Sequence, residues 1–205
     1  MTMRGARLWL ALGLGLAFTV ATSLAVTAPP KPATPVPLAS VTIGTNNRIL
    51  LSQEQRREAA AKNASLGQIQ SLLNVSAPLR YGEFVWDEKN VVAGPVWIRV
   101  DLQAQTISIF RGGHEIGIAV MLYGADGKPT PPGQFTVLAK SKDHQSGQYD
   151  APMPYSLWLT KDGVAIHGSN VRWGSATHGC VGVPIDFARK LFDATSVGDR
   201  VTVDA

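Results

Sequence analysis

The 205-residue chain has one cysteine, Cys180, which excludes an internal disulfide. Its stability must come from a buried core, and a chain of this length can form one without covalent staples. Strong charge is also missing. The net charge is +4, and setting aside Arg4 and Arg7 in a leader-like stretch leaves +2 (4 minus 2), too mild to point to nucleic acid. Metal-ligand spacing is absent too: His167, His178 and Cys180 have no fourth ligand at a recognisable interval. No metal and no other cofactor is expected.

Arg4 and Arg7 precede an apolar run from Leu8 to about Val26 that closes on small residues, Ser23-Leu24-Ala25. This is the pattern of an export signal cleaved after Ala25, so residues 1–26 read as a signal peptide. Residues 8–26 are also close to the roughly 20 that span a bilayer, and a retained signal anchor is the alternative. Either outcome places the rest of the chain outside the cytoplasm, in the periplasm or cell envelope, held at the inner membrane if the anchor stays.

Residues 27–48 read as a linker, because five prolines between Thr27 and Leu38 remove backbone donors and favour extended polyproline geometry. Residues 49–90 read as a helical appendage. Ser52-Gln53-Glu54-Gln55 has the capping-box pattern and opens a helix to about Asn63, with Glu58 and Lys62 at i,i+4. Ser65 to Gln68 repeats the cap, and Leu66, Ile69, Leu72 and Leu73 give a second short helix one apolar face. Nothing catalytic stands out there.

Residues 91–205 form the main domain. Val96, Ile98, Val100 and Leu102 alternate as one strand face, Thr106 to Phe110 follows as a strand, and Ile116 to Tyr123 continues a β-meander after a turn at Arg111–His114. Thr130-Pro131-Pro132-Gly133 turns into a strand from Phe135 to Ala139. Strands Ser156–Thr160 and Val164–Ile166 flank a Lys161-Asp162-Gly163 turn. Phe187 and Leu191 at i,i+4 behind Pro184 mark a short amphipathic helix, and Val201–Val203 closes the domain. His114 reads as a solvated loop residue and His144 as a surface residue.

Export gives the lone cysteine meaning, since structural cysteines in oxidising compartments come in pairs and an odd one points to a reactive thiol or an intermolecular bridge. A buried, inert Cys is the plain alternative. Gly179 beside Cys180, with His178 one residue further back, does not resemble core packing. The thiolate is the nucleophilic form, so a nearby imidazole that takes the proton is the economical activator, and His167 lies 13 positions upstream (180 minus 167). Backbone N–H groups at Gly179 and Cys180 are candidates for holding an oxyanion.

Ile166-His167-Gly168 followed by Thr177-His178-Gly179-Cys180-Val181 resembles the signature of the L,D-transpeptidase catalytic domain, often called the YkuD domain. Val100-Asp101-Leu102, Thr130-Pro131-Pro132-Gly133-Gln134-Phe135 and Met153-Pro154-Tyr155 resemble further family motifs in the expected order, so the likeness covers about Val91 to Ala205. The resemblance implies a mainly β fold, a sandwich of mixed sheets with a short helix after the cysteine. It implies an enzyme acting on peptidoglycan stem peptides, as donor and acceptor. Cys180 would be the nucleophile and His167 the base, oriented by the main-chain carbonyl of Gly168. His178 and Gly179 would position the substrate or its oxyanion, and Tyr155, Thr177 and Arg172 would contact it. Gly182 departs from the family, which usually has Arg or Asn there; Arg172 or Arg189 is the expected compensation. A carboxypeptidase or amidase using the same thiol, and a non-catalytic wall-binding module, are the alternatives.

Overall fold

The computed structural model describes residues 42–44, 47–125, 127–147 and 150–205. The expected signal segment and the prolines of the expected linker lie outside the described residues. Two strands, β1 (Thr42–Gly44) and β2 (Arg48–Leu50), pair antiparallel and lead into helix α1 (Gln53–Lys62). The capping box is formed on both sides: Gln55 N–H donates to Ser52 Oγ at 3.2 Å and Ser52 N–H donates to Gln55 Oε1 at 2.8 Å.

The second expected helix is corrected by the structure. Ala64–Gln68 makes only a 3-10 turn, and the chain then runs as β3 (Ser71–Leu73) and, after an irregular stretch, β4 (Phe84–Trp86). Two turns of isolated helix are marginal, whereas a strand here satisfies its backbone by pairing with β2 on one side and β7 (His114–Val120) on the other. Within residues 49–90 the first expected helix is present as α1, while β2, β3 and β4 join the main sheet. The expected linker also ends in structure: Arg48 is buried, and its guanidinium donates to the carbonyls of Glu115 and Asp87.

β5 (Val96–Asp101), β6 (Thr106–Arg111) and β7 form the expected meander. Two later strands, β8 (Gly133–Thr136) and β13 (Arg200–Asp204), complete a nine-stranded mixed sheet of order β1-β2-β3-β7-β6-β5-β13-β8, with β4 also on β7. The central strands are buried on both faces, so β6 does not alternate cleanly. Ile98, Val100, Ile107 and Ile109 face the main core, while Trp97 stacks on Phe110 at 4.3 Å over Ile69 on the opposite face. His114, expected in a solvated turn, begins β7 and shares a 2.9 Å hydrogen bond between its Nδ1 and Ser71 Oγ.

A second sheet of four strands has the order β12-β11-β10-β9, from β9 (Ala139–Ser141), β10 (Ser156–Trp158), β11 (Ala165–Ser169) and β12 (Val181–Pro184). Helix α2 (Ile185–Ala194) follows β12 directly and buries Phe187, Ala188 and Leu191. The rings of Phe84 and Trp86 meet Phe187 edge-on at 5.7 and 5.6 Å, so α2 joins the two sheets through aromatic contact.

Candidate active site

The register of the small sheet decides which side chains meet. β11 and β12 are parallel, pairing Ile166 with Val181 and His167 with Gly182; β10 is antiparallel to β11, pairing Leu157 with Ile166 and Trp158 with Ala165. Leu157, Ile166 and Val181 are fully buried in the core. Side chains alternate across a strand, so Trp158, His167 and Gly182 belong to the outer face, and Cys180, immediately before β12, continues that outer row beside Ala165. The thirteen-residue spacing thus places His167 and Cys180 as diagonal neighbours on one face of a parallel pair.

That face floors a cleft of about 810 Å³ whose lining includes His167, Cys180, His144 and Trp158. His167 is 9% exposed, and its Nδ1 lies 3.0 Å from the Gly168 carbonyl oxygen. A carbonyl only accepts, so Nδ1 carries the hydrogen and Nε2 keeps its lone pair. Burial lowers the pKa of His167 below the ordinary 6.5, against the Gly168 hydrogen bond and with a smaller push from His144. Burial likewise raises the Cys180 thiol above 9.0, partly offset by a hydrogen bond with the Ala165 backbone, and Sγ lies 3.5 Å from the Gly163 carbonyl oxygen. The resting pair is therefore a neutral thiol beside a neutral imidazole.

The backbone around the cysteine is clamped from the segment after β7. Leu122 and Gly182 exchange N–H···O bonds of 2.8 and 2.9 Å, and Thr177 N–H donates to the Tyr123 carbonyl at 3.0 Å. The hydroxyls of Thr177 and Thr130 both donate to the Cys180 carbonyl, and Thr130 Oγ1 accepts from Gly124 N–H at 2.9 Å. A Cβ on Gly124 would lie 2.0 Å from the Lys128 carbonyl oxygen and 2.8 Å from Gly179 N, so only glycine lets these strands of backbone close up. Gly179 has φ +105, a conformation that favours glycine. Gly179 and Cys180 both line the cleft.

The expected substrate contacts are redistributed. Thr177 lines the cleft, yet its hydroxyl is committed to the Cys180 carbonyl, so it shapes the loop. His178 is an exposed rim residue of the same cleft. Tyr155 is not among the lining residues: at φ +58 its ring packs edge-on to Phe192 at 5.9 Å, against the main core. Arg172 is exposed and donates to Asn170 Oδ1 at 2.9 Å, also outside the cleft. Neither it nor Arg189, exposed and 3.7 Å from Asp186, replaces the side chain missing at Gly182. Ser169 fills that space instead, since a Cβ on Gly182 would sit 3.0 Å from the Ser169 Cβ.

Two cleft residues escaped the sequence reading. Trp158 sits inside a strand whose outward face is not visible without the core direction, and His144, expected at the surface, is half-buried. The hairpin between β9 and β10 folds His144 back over the cleft, its ring edge-on to Trp158 at 4.9 Å. The alternating His-Gly and Trp positions of β10 and β11 were the available signal.

A cysteine and an oriented histidine on one face of a mixed β scaffold are the groups that thiol acyl transfer uses. The chain belongs to the L,D-transpeptidase catalytic domain family: the family model matches residues 95–203, more than half of the chain. A curated relative, L,D-transpeptidase 1 of Mycobacterium tuberculosis, is 25% identical over 119 residues, 50% of this chain and 47% of its own. The chain thus spans about half the length of the curated relatives it matches. Among solved structures, an L,D-transpeptidase of Mycobacterium smegmatis matches with TM-score 0.50 and 25% identity, covering 54% of this chain and 58% of that one. An L,D-transpeptidase of Stackebrandtia nassauensis matches with TM-score 0.50 and 26% identity, covering 56% and 57%.

Proposed function

We propose that the protein is an exported peptidoglycan L,D-transpeptidase whose Cys180 is acylated by a stem peptide, with release of D-alanine, and then passes the acyl group to an amine. The observation that carries this reading is the placement of His167 on β11 and of Cys180, immediately before β12, on one face of the small sheet, with Nδ1 of His167 tied to the Gly168 carbonyl.

Nε2 of His167 takes the thiol proton as Sγ attacks the carbonyl carbon, since the resting thiol is protonated. The oxyanion is held by the N–H groups of Gly179 and Cys180, each such donor being worth about 2.7–4 kcal/mol of barrier in other enzymes. Collapse breaks the C–N bond, and the imidazolium returns its proton to the departing amine of D-alanine. The thioester is then attacked by an acceptor amine, which gives its proton to Nε2, and Sγ leaves and is reprotonated. Water in place of the amine gives the carboxypeptidase outcome.

Intact mass after incubation with a stem tetrapeptide tests the reading. The expected result is a mass gain on Cys180 equal to the tetrapeptide less D-alanine, absent in Cys180→Ala. Release of glycan-free stems from muropeptides without that adduct would identify an amidase, and no change in either measurement would identify a binding module.

A further inference from the structure

Trp173 stands at the tip of the loop that carries Cys180 and is 83% exposed, the only exposed aromatic side chain among the described residues. Tryptophan is highly buried on average and is enriched at the energetic centres of binding surfaces. We infer that Trp173 and the small cavity beside it form a second binding site, which takes a neutral sugar ring of the glycan strand from which a stem peptide hangs. The inference rests on the transpeptidase reading for the identity of that sugar, but its physical content, sugar binding on the far side of the cysteine loop, can be measured without any reaction.

The indole is held in place from two sides. Its ring meets Tyr81 edge-on, with centroids 5.5 Å apart and planes at 80°. Tyr81 packs on the buried cluster of Val120, Leu122 and Val171, and its hydroxyl donates to Gln105 Oε1 at 3.0 Å. The turn that carries Tyr81 is closed by Glu83, whose N–H donates to the Arg80 carbonyl at 2.9 Å and whose Oε2 accepts from Arg80 N–H at 2.8 Å. On the loop side, Ser175 N–H donates to the Arg172 carbonyl at 3.3 Å, spanning Trp173 and Gly174, the latter at φ +75. Most of the indole surface nevertheless stays in water, and an aromatic face fixed in advance lowers the ordering cost of binding.

Gln105 and Ser175, the outer ends of these two restraints, both line a cavity of about 230 Å³ that Tyr123 and Ala176 also face. An amide, a phenol and a hydroxyl are thus brought to it, and no charged side chain stands among its described lining residues. Exposed Arg80 and Arg172 flank the two rings in sequence but do not line the cavity, and Arg172 donates to Asn170 Oδ1 at 2.9 Å. Drug-sized ligands fill about 300–1,000 Å³, so this cavity suits a single ring or its substituent and not a length of peptide. A stem peptide carries carboxylates and amines, whose burial demands charged partners. A sugar ring instead offers neutral hydroxyls to the amide and hydroxyl groups and an apolar C–H face to the indole. Ala176 lines both this cavity and the catalytic cleft, so the cysteine loop alone stands between them, and a sugar held here keeps its stem close to Cys180.

The probe is chitotetraose, a neutral oligomer of N-acetylglucosamine, added to the full-length protein. Binding is read by calorimetry and by the NMR resonance of the Trp173 indole N–H, assigned through Trp173→Ala. Three substitutions at exposed positions divide the site. Trp173→Ala removes the platform, Trp173→Tyr keeps an aromatic face, and Ser175→Arg fills the cavity while leaving the indole in place.

The expected result is a saturable shift of the Trp173 resonance, with affinity about tenfold weaker in Trp173→Ala and in Ser175→Arg and largely recovered in Trp173→Tyr. The ratio of Cys180 acylation rates between a glycan-linked stem and the free stem tetrapeptide should also fall about tenfold in Trp173→Ala. No shift at millimolar chitotetraose, or wild-type affinity in Trp173→Ala, overturns the inference. So does an equal shift of the indole with the free stem tetrapeptide, which would mark a peptide subsite. A protein that binds chitotetraose yet never acquires a stem-peptide adduct would defeat the functional reading and leave the sugar site standing, whereas one that is acylated but does not bind the sugar would defeat this site alone.

Discussion

In the proposed mechanism Cys180 and His167 act as a pair whose resting charge state follows from burial. The thiol is pushed up and the imidazole down, so neither carries charge at neutral pH. The thiolate absorbance near 240 nm is therefore expected to be absent at about pH 7 and to appear only above the ordinary thiol range. A thiolate signal at neutral pH would show an ion pair instead. The acid limb of kcat/KM should lie below 6.5, because His167 is useful only when unprotonated and burial delays its protonation. The same shift links to stability. Below 6.5 the unfolded chain binds a proton that folded His167 refuses, so its contribution is complete above that pH and declines as pH falls toward the lowered value.

That Cys180 and His167 line one cleft was legible in the sequence because a rare residue type stands in a recognisable local pattern. Tyr155 and His144 were misread for the opposite reason. A positive φ turns Tyr155 onto Phe192, and a hairpin returns His144 over the floor; neither fact is local to its own neighbours.

At the level of elements, the site depends on how the segment after β7 grips the cysteine loop. Thr130→Val removes a donor to the Cys180 carbonyl and an acceptor for Gly124 N–H. It should cost about 1–3 kcal/mol, since Gly124 N–H is buried, with acylation falling more than melting temperature changes. Equal loss in both would mean the bond only supports the fold. Gly182→Arg restores the usual family residue but presses a Cβ to 3.0 Å of the Ser169 Cβ. Denaturant melts should show about 1–3 kcal/mol of destabilisation, part of it recovered in Ser169→Gly/Gly182→Arg; strict additivity would refute the contact. The strands themselves were readable from alternation. Their partners were not, because register between β10, β11 and β12 is set by core packing over long sequence separation.

For the whole molecule, the boundary drawn at residue 91 cuts through a sheet. A chain starting at Val91 loses β3 and β4 from β7 and takes two rings off Phe187. It should be less stable by at least about 3 kcal/mol, read by chemical denaturation, given what losing one buried aromatic costs. A melt matching the full chain would restore the appendage reading. The second expected helix proved to be strand for a physical reason: short strands draw their stability from neighbours, and Leu72 and Leu73 fit a helix stripe equally well. The parallel pairing of β11 with β12 has one more consequence. Parallel neighbours require the chain to travel back before it can pair, and here residues 170–180 make that journey with their two ends fixed by the ladder. The tip of this loop, with exposed Trp173, lies away from both ladder ends, so a change in its length or chemistry should leave the placement of His167 and Cys180 unaltered.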